Sequence, residues 1–410
     1  MLEIKKLGLE DTELFAKLYR NAYPGFGGTL EQVVASMKRF FSFPERTFYG
    51  VFREQTMVGG MCLLDFEMNL RGQGMVPVGG VALVAVDLLY KKEKIAKEIM
   101  TFSLQHFREK GTSFVTLFPF RMSFYNQMGF GAGVEHRRFS IEPSNLPRYT
   151  SKDNLEILTS DNLEEVVACY NRYSLTRNGL TPLSAHHLEG FFKADSARVV
   201  GFREDGVLKG YMLMRFIKDH MLVNQIYIPH IVYESDQALQ ELFTFLHSQA
   251  DQFHRVNIST QDEGIHYLLS TTSTNMHDVF DSIFLETSVS GCGLMVRVVD
   301  VPKLFAELQK HNFNGETFKL KLTLEDSFLP QNEASTLLYF DEGRPQMVTE
   351  GPVDAELTLP VADFSSLLAG TTTFDRLHRL GLAKLSDAAH VETLTRLFRT
   401  NEKMMCMFAF

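Results

Sequence analysis

No Cys-x-x-Cys pair, no His-Glu-x-x-His and no comparable ligand spacing occurs in these 410 residues. The four cysteines, Cys62, Cys169, Cys292 and Cys406, lie far apart, and the adjacent His186 and His187 belong to no ligand motif. Disulfides and structural zinc are not expected, and no metal is assigned. The Walker A loop and the Gly-x-Ser-x-Gly elbow are missing as well, so the chemistry lies elsewhere. The longest apolar run, around Val76 to Leu89, contains glycines and Asp87 and is too short to span a bilayer. MLEIKKLGLEDTELF at the N-terminus has no apolar core of signal-peptide type. A cytoplasmic protein with no membrane partner is the expectation. A net charge of −9, with no concentrated basic tract, argues against a nucleic-acid partner.

What is present describes an ordinary globular protein, 45% hydrophobic and 22% charged, and too long for one core. It also contains a repeat. FREQTMVGGMCLLDF from Phe52 matches FREDGVLKGYMLMRF from Phe202, with Gly60 answering Gly210, and both read as β-hairpins. Upstream, LEIKKLGLEDTELFAKLYRNAY and LEILTSDNLEEVVACYNRYSL each give a short strand and an amphipathic helix. Both matches have an offset near 150 residues. Two tandem domains of one fold follow.

The first copy continues as VALVAVDLLYKKEKIAKEIM, a buried strand, a basic turn and a helix. That helix has an apolar face of Ala96, Ile99, Met100, Ser103, Leu104 and Phe107, with Gly111 at its end, and SFVTLF follows as a strand. The segment is a β-α-β crossover with parallel strands expected. The second copy offers no Lys or Arg in its corresponding turn. From about Leu294, the strand-like runs LMVRVVDV, TFKLKLTL, STLLYF and AELTLP, then helical runs, give a separate α+β domain. The acidic, turn-rich stretch from Asn332 to Glu356 reads as a solvated edge of its sheet.

A helix N-terminus attracts phosphate through its unpaired N–H groups and its dipole. Lys91, Lys92 and Lys94 oppose the dipole unless an anion sits there, and a solvated basic turn is the competing reading. After the next strand comes FPFRMSFYNQMGFG. Pro119 ends the strand, Ser123 reads as an N-cap, and a short helix carrying Tyr125 closes at Gly129. Taken alone, Tyr125 reads first as an aromatic core residue.

Together, Val84-Ala85-Val86, the turn Lys91-Lys92-Glu93-Lys94-Ile95-Ala96 and Tyr125-Asn126-Gln127-Met128-Gly129-Phe130 resemble the GNAT superfamily of acyl-CoA-dependent N-acetyltransferases. Two copies plus an α+β tail resemble, more specifically, the Eis (enhanced intracellular survival) family, with LTLPVADFSSLLAG similar to a sterol-carrier strand-helix element. The resemblance covers essentially the whole chain. It implies a mixed α/β and α+β architecture. Residues 1–148 would be a GNAT domain with the acetyl-CoA site, and residues 149–291 a second GNAT-like domain without a phosphate loop. Residues 292–410 would be a sterol-carrier-like domain whose C-terminus reaches the active site.

The same resemblance implies roles. Val84, Ala85 and Val86 would pair with the pantetheine arm of acetyl-CoA, Lys91 to Ala96 would hold its pyrophosphate, and Phe120 would adjoin the cofactor. Tyr125 would be the general acid for the departing thiolate, and the terminal carboxylate of Phe410 the base. The chain ends EKMMCMFAF; burying that apolar tail would raise a carboxylate from its usual range of about 3.3–3.7, while a tail completing the third domain is the alternative. Tyr23, Phe26 and Met37 are candidates for the amine pocket, or core packing. Glu402 would attract a cationic substrate, or sit on the surface.

Departures from the family pattern are Leu88 for the usual proline, lysines for arginines, and Lys94 for glycine. Lysine lacks the arginine fork, and Glu93 repels phosphate. The implied reaction is acetylation of an aminoglycoside-, polyamine- or lysine-like amine. The alternative is a CoA- or lipid-binding protein of the same fold whose catalysis has decayed. Similar proteins are homo-oligomers, hexamers among them, and that is carried as an expectation.

Overall fold

The computed structural model describes residues 2–25, 27–72, 74–149, 151–220, 223–269 and 286–408. They form two compact units. One holds the chain up to Gly133 together with Leu294–Lys403; the other holds Val134–Gly293 and Met404–Phe408.

The first unit begins with strand β1 (Leu2–Lys6), helices α1 (Thr12–Ala22) and α2 (Leu30–Phe41), and strands β2 (Arg46–Arg53), β3 (Thr56–Asn69) and β4 (Met75–Val86). Helix α3 (Ile95–Glu109), strand β5 (Phe114–Leu117) and the short α4 (Met122–Asn126) follow. Helix α2 starts at Thr29, whose hydroxyl accepts from the Gln32 amide while the Gln32 side chain caps the Thr29 amide. The α3 face buries Ile99, Met100, Ser103, Leu104 and Phe107 as the periodicity predicts, with Ile95 in the place expected for Ala96. Phe107 lies so close to Gly79 of β4 that a Cβ there would stand 2.5 Å from its ring, so only glycine lets this helix onto the sheet. Strands β4 and β5 pair in parallel from Val78/Phe114 to Val81/Leu117, which completes the expected crossover.

The second unit contains β6 (Glu135–Ile141), β7 (Leu155–Leu158), α5 (Leu163–Ser174), α6 (Ala185–Lys193), β8 (Ala197–Glu204), β9 (Val207–His220) and β10 (Val223–Tyr233). Then come α7 (Asp236–His247), β11 (Arg255–Thr260), α8 (Ile265–Leu268) and β12 (Val289–Cys292). The matched hairpins are real. Arg53 faces Thr56 across one turn and Glu204 faces Val207 across the other, with a register shift beside Phe52 in one and Phe202 in the other. Both copies also share the parallel crossover, four residue pairs long, between β4 and β5 and between β10 and β11.

The chain then returns to the first unit with β13 (Met295–Val298), α9 (Val301–Glu307), β14 (Phe318–Glu325), β15 (Thr336–Asp341), β16 (Arg344–Met347) and β17 (Ala355–Pro360). Helix α10 (Val361–Leu368), α11 (Phe374–Arg379), β18 (Lys384–Leu385) and α12 (Val391–Phe398) complete it. The three sheets run β1-β2-β3-β4-β5-β13, β12-β6-β11-β10-β9-β8-β7 and β16-β15-β14-β17-β18.

Sheet membership therefore does not follow chain order. Strand β6, placed before residue 148 and so expected in the first domain, lies in the second sheet between β11 and β12. Strand β13, from the run LMVRVVDV expected in the third sheet, instead pairs antiparallel with β5 of the first. Alternation marks a strand but carries no record of its partner. In the third sheet, the segment expected at a solvated edge supplies β15 and the edge strand β16.

Candidate active site

Strand β4 outruns its parallel neighbour. Pairing with β5 stops at Val81, whereas β4 continues to Val86, still bonded to β3 on its other edge through Gly60/Ala85 and Gly59/Val86. A register shift beside Gly60 leaves Leu83 at φ 50° and turns the strand locally. Ala82 to Val86 thus present a backbone edge that β5 leaves open, and this is the stretch expected to receive a pantetheine arm. Ala85 is fully buried and Val84 half-buried. The Val84 carbonyl accepts from the Tyr23 hydroxyl at 2.5 Å, so Tyr23, expected in the amine pocket, contacts strand β4 itself.

The strand leads into the basic turn. Asp87 accepts from Asn21 at 2.6 Å and from the Leu89 amide at 2.9 Å, which fixes the start of the loop. Lys91, Lys92, Glu93 and Lys94 are all exposed. Lys92 and Lys94 both adopt left-handed backbone, with φ 67° and 65°. Lys94 is the N-cap of α3 and makes no side-chain capping bond; its carbonyl accepts from the Glu98 amide. The first-turn amides of Ile95, Ala96 and Lys97 therefore have no partner within the helix. In the second copy the equivalent helix α7 is capped by Ser235, whose side chain accepts from the Ala238 amide. Glu93 is paired with Arg53 at 2.6 Å, and Arg53 also lies over the Tyr90 ring. The charge expected to repel phosphate is thus partly neutralised. Nothing local in the sequence ties residue 53 to residue 93.

Tyr125 sits on α4, 3% exposed, among the rings of Phe120 (5.4 Å), Phe124 (5.1 Å) and Phe130 (6.1 Å). Burial pushes its hydroxyl far above the ordinary tyrosine range, and nearby Tyr23 adds to the shift. Tyr23 is itself raised, by burial and then by Tyr19. Both phenols hold their protons at neutral pH. The expected N-cap at Ser123 is replaced by Arg121, without a side-chain capping bond, because the helix begins at Met122. Gly129 closes the turn at φ 84°, and the Met128 and Phe130 amides both bond to the Tyr125 carbonyl.

The other expected residues divide. Phe120 is 65% exposed and packs its ring on Tyr125. Met37 is 2% exposed inside the core formed with Phe15 and Phe48, so its side chain packs rather than faces a ligand. Glu402 is half-buried beside the turn at Gly370. Phe26 and Phe410 lie outside the described residues.

The tail up to Phe408 belongs to the second unit rather than completing the third sheet. Its Met405 amide bonds to the Asn178 carbonyl and its Cys406 amide to the Gln261 side chain, and Met405, Met407 and Phe408 pack on the core of Tyr170, Tyr173 and Leu213. Phe408 stacks edge-on against His230, 4.4 Å away. Strand β10 runs on past its last pair with β11, at Ile228, through His230 to Tyr233.

Comparison with known proteins gives the class. Residues 3–133 match the acetyltransferase (GNAT) domain family, and residues 301–407 match the sterol carrier protein domain family. No curated protein matches the chain. Among solved structures, a GCN5-related N-acetyltransferase from Anabaena variabilis superposes with a TM-score of 0.82 at 17% identity, covering 100% of both chains. Eis1 from Mycobacterium abscessus gives 0.80 at 17% identity, again over 100% of both. A GCN5-related N-acetyltransferase from Kribbella flavida gives 0.77 at 17%, over 100% of this chain and 98% of that one. At such identities the superpositions establish the fold. The family match gives the chain a GNAT acetyltransferase domain at residues 3–133. More particularly, the chain joins that domain to a sterol carrier protein domain at residues 301–407, and over its whole length it shares the fold of Eis1.

Proposed function

We propose that the protein transfers the acetyl group of acetyl-CoA directly to a primary amine of aminoglycoside, polyamine or lysine type. The observation that carries this reading is the continuity of three parts in one unit. The open edge of Ala82 to Val86 runs into a helix N-terminus with no side-chain cap, and a buried, protonated tyrosine stands in the same unit.

In this reading the backbone edge of Val84 to Val86 binds the pantetheine amides, and an amide there polarises the thioester carbonyl. The amides of Ile95 to Lys97 and the ammonium groups of Lys91, Lys92 and Lys94 hold the pyrophosphate. The amine nitrogen bonds to the acetyl carbon, the carbon–sulfur bond breaks, and the Tyr125 hydroxyl gives its proton to the leaving thiolate. The terminal carboxylate of Phe410 takes the proton that the amine sheds. That last role rests on the family resemblance. So does homo-oligomeric assembly, a hexamer in similar proteins, while a cytoplasmic location is the expectation from the sequence itself. No helix among the described residues is long and apolar enough to cross a membrane.

Calorimetry with acetyl-CoA, alongside CoA-thiol release with kanamycin, spermidine and lysine amide, tests the reading. Micromolar binding and turnover that falls about 10²–10⁴-fold in Tyr125→Phe are expected. Binding without turnover of any amine would favour the decayed, CoA-binding alternative. Full turnover in Tyr125→Phe would remove the proposed acid.

A further inference from the structure

Arg297 of β13 is completely buried, the bulkiest side chain to be so in the described structure. One guanidinium nitrogen, Nη2, donates to both carboxylate oxygens of Asp326, at 2.6 and 2.8 Å. The other, Nη1, donates to the carbonyl of Met128 at 2.6 Å. The Met128 amide in turn donates to the Tyr125 carbonyl at 2.9 Å, so a single residue links the tyrosine helix to the guanidinium. Gly129 makes this approach possible. A Cβ there would stand 1.4 Å from Nη1 and 2.7 Å from a Val361 methyl. Two residues on, Gly131 exchanges both backbone bonds with Val296, the neighbour of Arg297. The turn that follows Tyr125 is thus gripped twice by β13.

Asp326 is held equally firmly. It accepts from the Phe328 and Leu329 amides and from the Asn332 side chain, all within 3.1 Å, and is 2% exposed. Asn332 also accepts from Arg108 at the end of α3, the crossover helix of the basic turn. A buried arginine–carboxylate pair is weak evidence for stability, because apolar residues of similar volume often serve as well. A guanidinium anchored to a carboxylate does fix direction. Here the fixed object is the short helix that carries Tyr125.

We propose that Arg297 and Asp326 are positioning residues for Tyr125, so that the sterol-carrier-like domain, which supplies Asp326, sets the aim of the acid in the GNAT domain. The proposal rests on the acetyl-transfer reading given above. It goes beyond that reading in coupling the acid to the 326–332 loop.

The test compares wild type, Tyr125→Phe, the apolar double variant Arg297→Met with Asp326→Leu, and all three substitutions combined. The double variant leaves no unpaired buried charge, and Arg297→Lys, which keeps the charge but loses the fork, is the conservative control. Backbone hydrogen exchange over residues 122–131 is read first, since it needs no amine. The Met128 and Phe130 amides should exchange at least tenfold faster in the double variant; unchanged protection overturns the proposal.

Turnover with acetyl-CoA and the three amine probes is read next. The double variant is expected to lower kcat roughly ten- to a hundredfold while the calorimetric Kd for acetyl-CoA stays within twofold. Adding Tyr125→Phe should lower kcat little further, because groups acting as one unit are non-additive. Additive losses, or full kcat in the double variant beside an impaired Tyr125→Phe, overturn the positioning role and leave the acid standing. Full turnover in Tyr125→Phe overturns both.

Discussion

Lys94 is the residue where chemistry and backbone disagree. A side chain in the left-handed region is strained by about 1–2 kcal/mol, and glycine gives back roughly 0.5–1 of that as unfolded-state entropy. Lys94→Gly is therefore expected to stabilise the protein by about 0.5–1 kcal/mol in urea unfolding. Calorimetry on the same variant separates the two effects of the lysine. Weaker acetyl-CoA binding would assign the ammonium to phosphate, and tighter binding would mean that only the strain mattered.

His230 makes a second residue-scale prediction. It is fully buried beside Tyr170, Tyr211 and Phe408, and neither ring nitrogen has a hydrogen-bond partner among the described residues. Burial pushes its pKa down to about 3. A base depressed in the folded state is protonated first in the unfolded chain. Its contribution is complete above about pH 6.5 and drains away as pH falls toward 3, by up to about 1.4 kcal/mol per unit. Urea unfolding at pH 7 and pH 5 should show His230→Phe relieved of about 2 kcal/mol of acid destabilisation relative to wild type. Equal acid sensitivity in both would contradict this.

At the scale of elements, the sterol-carrier-like domain is filled by phenylalanine. Phe305, Phe313, Phe340, Phe364 and Phe398 are each 1% exposed or less, and their ring centroids lie between 5.2 and 6.4 Å apart where they touch. Side chains so interlocked occupy the interior that a lipid tail would need. A fluorescent fatty acid is expected not to bind the wild-type protein. Phe398→Ala should cost about 3–5 kcal/mol in unfolding.

The sequence was most legible at this scale, and for a physical reason. The hairpins at Phe52 and Phe202, the face of α3 and the strand-helix step of β17 and α10 depend on neighbours within a dozen residues. The start of α4 was misplaced by the serine at position 123, since a capping side chain is a preference that Arg121 did without. Arg297 was invisible. In LMVRVVDV it reads as a solvent-facing charge on an alternating strand, and only folding brings Asp326 and Met128 to it.

For the whole molecule, the exchange of β6 and β13 means that no single cut separates the first sheet from the second. A fragment of residues 1–148 would keep β6 without its neighbours β11 and β12, and leave β5 without β13. Unpaired strand edges promote association. Size-exclusion chromatography is expected to find this fragment aggregated. A polypeptide joining residues 1–133 to 294–403 through a flexible linker should elute as a discrete species. A monodisperse 1–148 fragment would show that the exchanged strands are dispensable.

The docking of residues 404–408 also has a consequence in time. During synthesis, Met404 is added more than a hundred residues after Gly293. At about 5–20 residues per second, the second unit waits on the order of ten seconds for the side chains that cover His230 and Tyr170. For that interval an apolar surface of the nascent protein stands uncovered, and this is where a chaperone would find it.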